Sequence, residues 1–335
     1  MNIRPEHLAA IEDLGYDSHE SQFLYLVATH SGYFTVQQFL DFTQQPKGRP
    51  VHRFTQKLIQ RRHARVTEYA RKTYVLNLYS RRVYGLIDKD NLRNRRRQSK
   101  ELVHTRLLIL DFVLAHSGER YLETEADKVS YFHEVLGLSL PALPGRIYKG
   151  VKSNRSTKRH FIDRFPMFLP KAKNALSLPS VVTLTYCDTA NPSLAQYVTH
   201  LRSYEKFLRR LPGFNFVYAS PHASKFARAA SFFSRLFGDS GPIDAHHLVR
   251  YFQLRLLWET NRTGTLTRAD RDFLRAGDKQ YDGEPFESAF QKWATQGLSD
   301  TDIDILLGPR RSQKNRSFRT YVLPHEHNIF ETFAA

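Results

Sequence analysis

The chain has one cysteine, Cys187, in 335 residues. A single thiol excludes an internal disulfide, and its place in the apolar run SVVTLTYCD predicts an inert, buried side chain. No run of 18 apolar residues occurs, so no membrane-spanning helix is expected. The first residues, MNIRPEHLAAIEDLGYDSHE, lack the basic-then-apolar order of a secretory signal. These absences predict a cytoplasmic protein. Neither common glycine-rich phosphate loop is present, so no nucleotide cofactor is expected, and no Gly-x-Ser-x-Gly elbow supports a serine nucleophile. Repeats and low-complexity tracts are also missing. What is present is ample core material: apolar residues make up 41% of the chain, with 24 Phe and 17 Tyr. A chain of this length is expected to form about two domains.

Acid is scarce where base is dense. Residues 49–100 hold 16 Lys/Arg against Glu68, Asp88 and Asp90, a net of +13. Residues 146–175 hold nine against Asp163, a net of +8. The segments 1–48 and 101–145 are each −4, so the overall +17 is concentrated rather than spread. Two basic segments beside acidic ones form the footprint expected for a polyanion partner.

The pattern along the chain says how the first segment is built. Asp17 and Glu20 form a capping box ahead of a helix with Phe23, Leu24, Leu26 and Val27 inward. Thr35 and Gln38 form a second one, ahead of Val36, Phe39, Leu40 and Phe42. Pro50 fits the first turn of a third helix, which turns Val51, Phe54, Leu58 and, at the margin, Ile59 inward. Its outer face carries His52, Arg53, Gln56, Lys57, Gln60 and Arg61. The period then alternates: Arg65–Tyr69 and Tyr74–Tyr79 read as a hairpin around a basic turn with Arg71 and Lys72, and Val66 and Tyr74 join the inner face. Three short helices and a hairpin are the order of a winged helix-turn-helix, whose third helix suits the major groove and whose hairpin tip suits a phosphate or the minor groove. The stretch NLRNRRRQSK, with Arg93, Arg95, Arg96 and Arg97, reads as a basic arm. A helix over Lys100–His116 comes next, with Val103, Leu107, Leu110 and Val113 inward.

The second half changes texture. The segments 180–188 and 214–220 read as buried strands and 193–208 and 221–237 as helices, a β-α-β-α order that predicts a parallel strand pair. Residues 243–308 read as helical and 318–324 as a late strand. An α/β domain beside a DNA-binding one raises a metal-dependent nuclease, which needs clustered carboxylates and a water-orienting Lys. Asp163 and Asp188 are the available pair, with Glu123 and Glu125 on a nearby helix. The strand 183–188 carries no Glu-x-Lys, so the water-activating part is missing. His325 and His327 in PHEH place two imidazoles on one side of a strand, a spacing open to metal binding. Zinc needs three or four ligands, and hydrogen-bonded or surface histidines are expected there and at His246–His247. Tyr197 and Tyr204, at helical spacing, are expected in the core.

The order of elements over residues 15–235 resembles the replication-relaxation family of plasmid mobilisation and replication accessory proteins. FTVQQFLDF (34–42), YVLNLYSRRVYGLI (74–87), IDRFPMFL (162–169) and LTYCDTANPSLAQYVTHLRSYEKFL (184–208) are each similar to family segments. Tyr186 stands where the family has Glu, and Asn191 also departs from its pattern. The resemblance implies a DNA-binding accessory role on mobile or plasmid DNA and an inactive nuclease-like scaffold.

The resulting expectation is an α/β protein, α+β overall. It has a winged helix-turn-helix at 1–90, a basic arm and connecting helix at 91–120, and an inactive nuclease-like α/β domain with a helical C-terminal part at 121–335. It binds double-stranded DNA sequence-specifically and without catalysis, as an accessory factor in replication, mobilisation or recombination, and is nucleoid-associated. The DNA-contacting set is His52, Arg53, Gln56, Lys57, Gln60, Arg61, Arg71, Lys72, Arg93, Arg95, Arg96 and Arg97, extended by Lys152, Arg155 and Lys158. No metal and no cofactor is expected, and the further partner is a second copy or another DNA-processing protein. The alternatives are a transcriptional repressor and a nuclease using Asp163 and Asp188.

Overall fold

Capping chemistry sets the first helices. After α1 (Pro5–Glu12), the Asp17 carboxylate accepts the Glu20 N–H at 2.8 Å and Glu20 accepts the Asp17 N–H at 2.9 Å, starting α2 (Ser18–Leu26). The helix widens into a π turn over 27–31, which Gly32 ends at φ +80, a conformation that favours glycine. The short strand β1 (Tyr33–Phe34) leads to α3 (Val36–Thr43), capped reciprocally by Thr35 and Gln38, and then to α4 (Arg49–Gln60), with Pro50 in its first turn. The hairpin of β2 (Ala64–Ala70) and β3 (Thr73–Leu78) comes next, then α5 (Arg81–Leu86). β3 lies between β1 and β2, antiparallel to both. Phe23, Phe34, Phe39 and Phe54 meet at the centre, with the Phe39 and Phe54 rings stacked at 4.0 Å.

The structure, a computed structural model, describes residues 3–45, 48–70, 72–149, 156–162, 165–170, 181–190, 193–237, 245–260, 262–281, 284–297, 302 and 315–330. Three inward assignments do not hold. Ile59, Val66 and Tyr74 are 47%, 42% and 49% exposed. Val66 and Tyr74 share a face with buried Ala64, Leu76 and Leu78, as pairing Val66 with Leu76 and Glu68 with Tyr74 requires. The hairpin extends beyond the helices that cover its base, so the same face is buried at the base and wet towards the tip. Ile59 sits one position past Leu58, on the edge of a face that only Val51, Phe54 and Leu58 complete.

The helix α6 (Lys100–Ala115) is buried from Arg106 through Val113, not along one stripe. Leu110 joins the N-terminal core, Val103 and Leu107 pack with Tyr33 and Val75, and Leu108, Ile109 and Phe112 pack with the second sheet. A helix apolar on all sides belongs inside a fold. It ties the first 90 residues to that sheet. The chain divides into one unit of Met1–Leu236 with Asn315–Ala335 and another of Phe237–Lys314.

The second sheet of the larger unit is built from β4 (Arg120–Tyr121), then, after α7 (Glu125–Ser130) and the separate hairpin β5 (Gly145–Lys149) and β6 (Ser156–His160), from β7 (Met167–Leu169), β8 (Val182–Cys187), β9 (Gly213–Ser220) and β10 (Asn315–Val322). Its order is β10-β9-β8-β7-β4, with the first three parallel and the last two antiparallel. The expected parallel pair is present: Val182 sits opposite Phe214 and Cys187 opposite Ala219. Strand alternation sorts the two faces. Cys187, Val217 and Ala219 pack in one cluster with α6 residues, while Tyr186, Phe216 and Tyr218 meet Tyr197 of α8 (Ala195–Leu208), and Phe216 meets Phe233 of α9 (Phe226–Phe237). The fold is mixed α/β.

In the smaller unit, α10 (Ala245–Glu259), α11 (Arg268–Gln280) and α12 (Glu284–Gln296) share a core of Leu248, Tyr251, Phe252, Leu274 and Phe290. Among the described residues, no helix is long and apolar enough to cross a membrane.

Candidate nucleic-acid interface

α4 holds no acidic residue. Burial of Val51, Phe54 and Leu58 leaves His52, Arg53, Gln56, Gln60 and the next residue, Arg61, exposed. Among the described residues, the side chains of His52, Arg53, Gln56 and Gln60 make no hydrogen bond or ion pair. Two members of the expected set are differently employed. Lys57 is half-buried, pairs with Glu20, donates to the Gly15 carbonyl at 3.1 Å and lies 5.1 Å from the Tyr16 ring centre. Its ammonium holds α4 to the connection between α1 and α2 and to the first turn of α2. The Arg61 guanidinium lies 5.6 Å from the Tyr16 ring centre and packs against Gly15.

At the hairpin turn, Lys72 is exposed with φ +62, and its N–H donates to the Glu68 carboxylate at 2.9 Å. Arg71 lies outside the described residues. The segment 91–99 is not a loose arm. A 3-10 turn at Arg93–Arg95 is anchored by Asn94, whose buried amide donates to the Ala28 and Thr29 carbonyls at 3.0 and 2.9 Å. The Tyr33 hydroxyl donates to the Arg96 carbonyl at 2.8 Å. Arg93, Arg96 and Arg97 remain exposed and Arg95 is half-buried. The arm runs beside the hairpin: burial pushes the Tyr69 hydroxyl of β2 up, and the charges of Arg65 and Arg97 partly oppose that.

In the second basic segment, Lys158 is exposed on β6 opposite Ile147. Lys152 and Arg155 lie outside the described residues. Arg159 pairs with Glu125 at 3.4 Å.

The carboxylates considered for metal-dependent hydrolysis have other partners. Asp188, at the carboxyl end of β8, is 2% exposed and pairs with buried Lys225. Glu123 accepts the Tyr25 hydroxyl at 2.8 Å and pairs with Lys89 at 2.9 Å. Glu125 accepts the His160 N–H at 2.6 Å as well as facing Arg159. Asp163 and Asn191 lie outside the described residues. Tyr197 and Tyr204 are buried, as is Cys187, whose thiol burial pushes well up.

A different cluster does form. His325 and His327 come after β10 rather than lying on a strand, and both reach Asp111 of α6. His325 Nδ1 is 3.1 Å from one Asp111 oxygen and His327 Nε2 is 2.7 Å from the other. The far nitrogen of His325, Nε2, is 2.9 Å from Asp41 of α3. Gln38 of α3 donates to Asp111 at 2.7 Å and to the Leu107 carbonyl at 2.9 Å, while its oxygen accepts the Thr35 N–H at 3.0 Å. Burial raises the Asp111 carboxyl, but hydrogen bonds from His325, His327 and Gln38 outweigh it and hold it below the usual range. His327 also lines a cavity of about 460 Å³ with His104, Gln196 and Phe330. Sequence reading missed Asp111. The available signal was a lone carboxylate inside the apolar helix LLILDFVLA, which cannot stay charged in a core without partners.

No family model, no curated protein and no solved structure matches the chain.

Proposed function

We propose that the chain is a sequence-specific double-stranded DNA-binding protein without a catalytic role. In this reading residues 1–90 act as a winged helix-turn-helix. α4 enters the major groove, where Arg53, Gln56 and Gln60 meet base edges, because Arg pairs with guanine and Gln with adenine in two-point geometry. Lys72 at the wing and Arg93, Arg96 and Arg97 on the anchored arm hold phosphates. Lys57 is reassigned to bracing α4. The observation that carries the proposal is the solvent face of α4: apart from Ile59 it is polar, it is free of acid, and the side chains of Arg53, Gln56 and Gln60 are not committed to any described residue. A solvated helix of ordinary composition would mix both signs of charge.

The resemblance to the replication-relaxation family supports a role on mobile or plasmid DNA in replication, mobilisation or recombination. A repressor shares every one of these features and differs only in which DNA is bound. The nuclease reading loses support from Asp188, whose carboxylate is buried against Lys225. The test is selection of duplexes from a random pool. Enrichment of one motif by the native chain, shifted or lost in Arg53→Ala with Gln56→Ala, is expected. An unenriched pool defeats sequence-specific recognition.

A further inference from the structure

We propose that Asp111, His325 and His327 form a binding site for a divalent transition metal of the zinc class. One oxygen and two imidazole nitrogens, one from each residue, lie within 4.8 Å of one another. Two imidazoles and one carboxylate are a donor set that suits zinc and leaves a coordination position for water.

The surroundings are those of a metal site rather than of a chance contact. A metal-bound imidazole characteristically donates its other N–H to a carboxylate, which fixes the ring and its tautomer. His325 has that arrangement: Nδ1 faces Asp111, and Nε2 is 2.9 Å from Asp41. The carboxylate ligand is itself held by the Gln38 amide. Both protons of that amide are used, on Asp111 and on the Leu107 carbonyl. The 3.3 Å contact between Gln38 Nε2 and His327 Nε2 therefore has no amide proton to share. His327 Nε2 is left directed at Asp111 and the space beside it. His327 adopts φ +50, in the left-handed region where histidine is enriched. Of the three ligands, His327 lines the adjoining cavity, which brings solvent to that edge of the site. The three ligands come from α6 and from the segment after β10, more than 200 residues apart in sequence. A bound ion would clamp that segment onto α6 and, through Asp41, onto α3. None of this depends on DNA binding.

The test uses the full chain, stripped with a chelator and titrated with Zn²⁺ by calorimetry, and with Co²⁺ by visible absorption. One equivalent of each is expected, with Co²⁺ showing the d–d bands of a nitrogen and oxygen site. His325→Ala with His327→Ala is expected to abolish both signals, and His133→Ala, remote in sequence and exposed, to leave them. Should the double variant misfold by circular dichroism, Asp41→Asn decides: its half-exposed side chain is dispensable to the core, and its loss is expected to weaken Zn²⁺ roughly ten- to a hundredfold. Absence of Zn²⁺ uptake by the native chain, or uptake unchanged in the double variant or in Asp41→Asn, overturns the proposal and leaves a hydrogen-bonded polar cluster.

Discussion

Asn94→Ala is expected to release the basic arm while leaving the fold intact. The Asn94 amide holds the 3-10 turn to the π turn through two buried hydrogen bonds, at 3.0 and 2.9 Å. Each is worth about 1 kcal/mol net, so their loss costs about 2 kcal/mol locally. That shifts the ratio of released to docked arm about thirtyfold, since 1.4 kcal/mol is a factor of ten. Tryptic cleavage of a transiently open segment tracks its open population, so first cuts at Arg93–Arg97 should accelerate by roughly the same factor. Mass spectrometry of early fragments reads this directly. Gly32→Ala approaches the contact from the other side: a Cβ there would lie 2.1 Å from the Asn94 carbonyl oxygen, at a residue held at φ +80. Both variants should also bind non-specific duplex more weakly. Unchanged cleavage at 93–97 in Asn94→Ala would refute the anchoring role.

Lys225→Met strands the Asp188 carboxylate at 2% exposure and is expected to cost about 3–5 kcal/mol in urea denaturation, with much of it recovered in Lys225→Met with Asp188→Leu. Burial lowers the pKa of His30 to about 3, so the folded protein keeps it neutral while the unfolded chain protonates near the ordinary value of about 6.5. Its contribution is full above that value and is lost as pH falls, at up to about 1.4 kcal/mol per pH unit. His30→Leu should therefore flatten stability against pH between about 6.5 and 4 relative to the native chain, and parallel curves would contradict this. Supercoiled plasmid incubated with Mg²⁺ or Mn²⁺ is expected to stay intact, whereas nicking that disappears in Asp188→Ala would restore the nuclease reading.

Local signals were readable in the sequence where one residue decides the backbone. Both capping boxes and Pro50 start helices where they stand, and the β-branched runs become the parallel strands β8 and β9. Long-range geometry was not readable. Alternation put Val66 and Tyr74 on the correct face, but only the extent of the helices covering β2 and β3 decides that they are wet. Helical periodicity gave α6 one buried stripe, although its apolar residues on every side are the mark of an interior helix. Nothing in NLRNRRRQSK marks Asn94 as an anchor, since its partners are backbone carbonyls more than sixty residues away. The pairing of PHEH with Asp111 likewise depends on where β10 enters the sheet.

The central claim is an electrostatic grip on duplex DNA by α4, the hairpin turn and the anchored arm. Its most direct test is fluorescence anisotropy of a labelled duplex against salt concentration. If Lys72, Arg93, Arg96 and Arg97 each neutralise a phosphate, log affinity should fall against log salt with a slope of about −3.6, roughly a 150-fold loss between 50 and 200 mM. Arg93→Ala with Arg97→Ala should flatten the slope by about 2. An affinity that hardly changes with salt, or a slope that the double substitution leaves alone, would contradict the account.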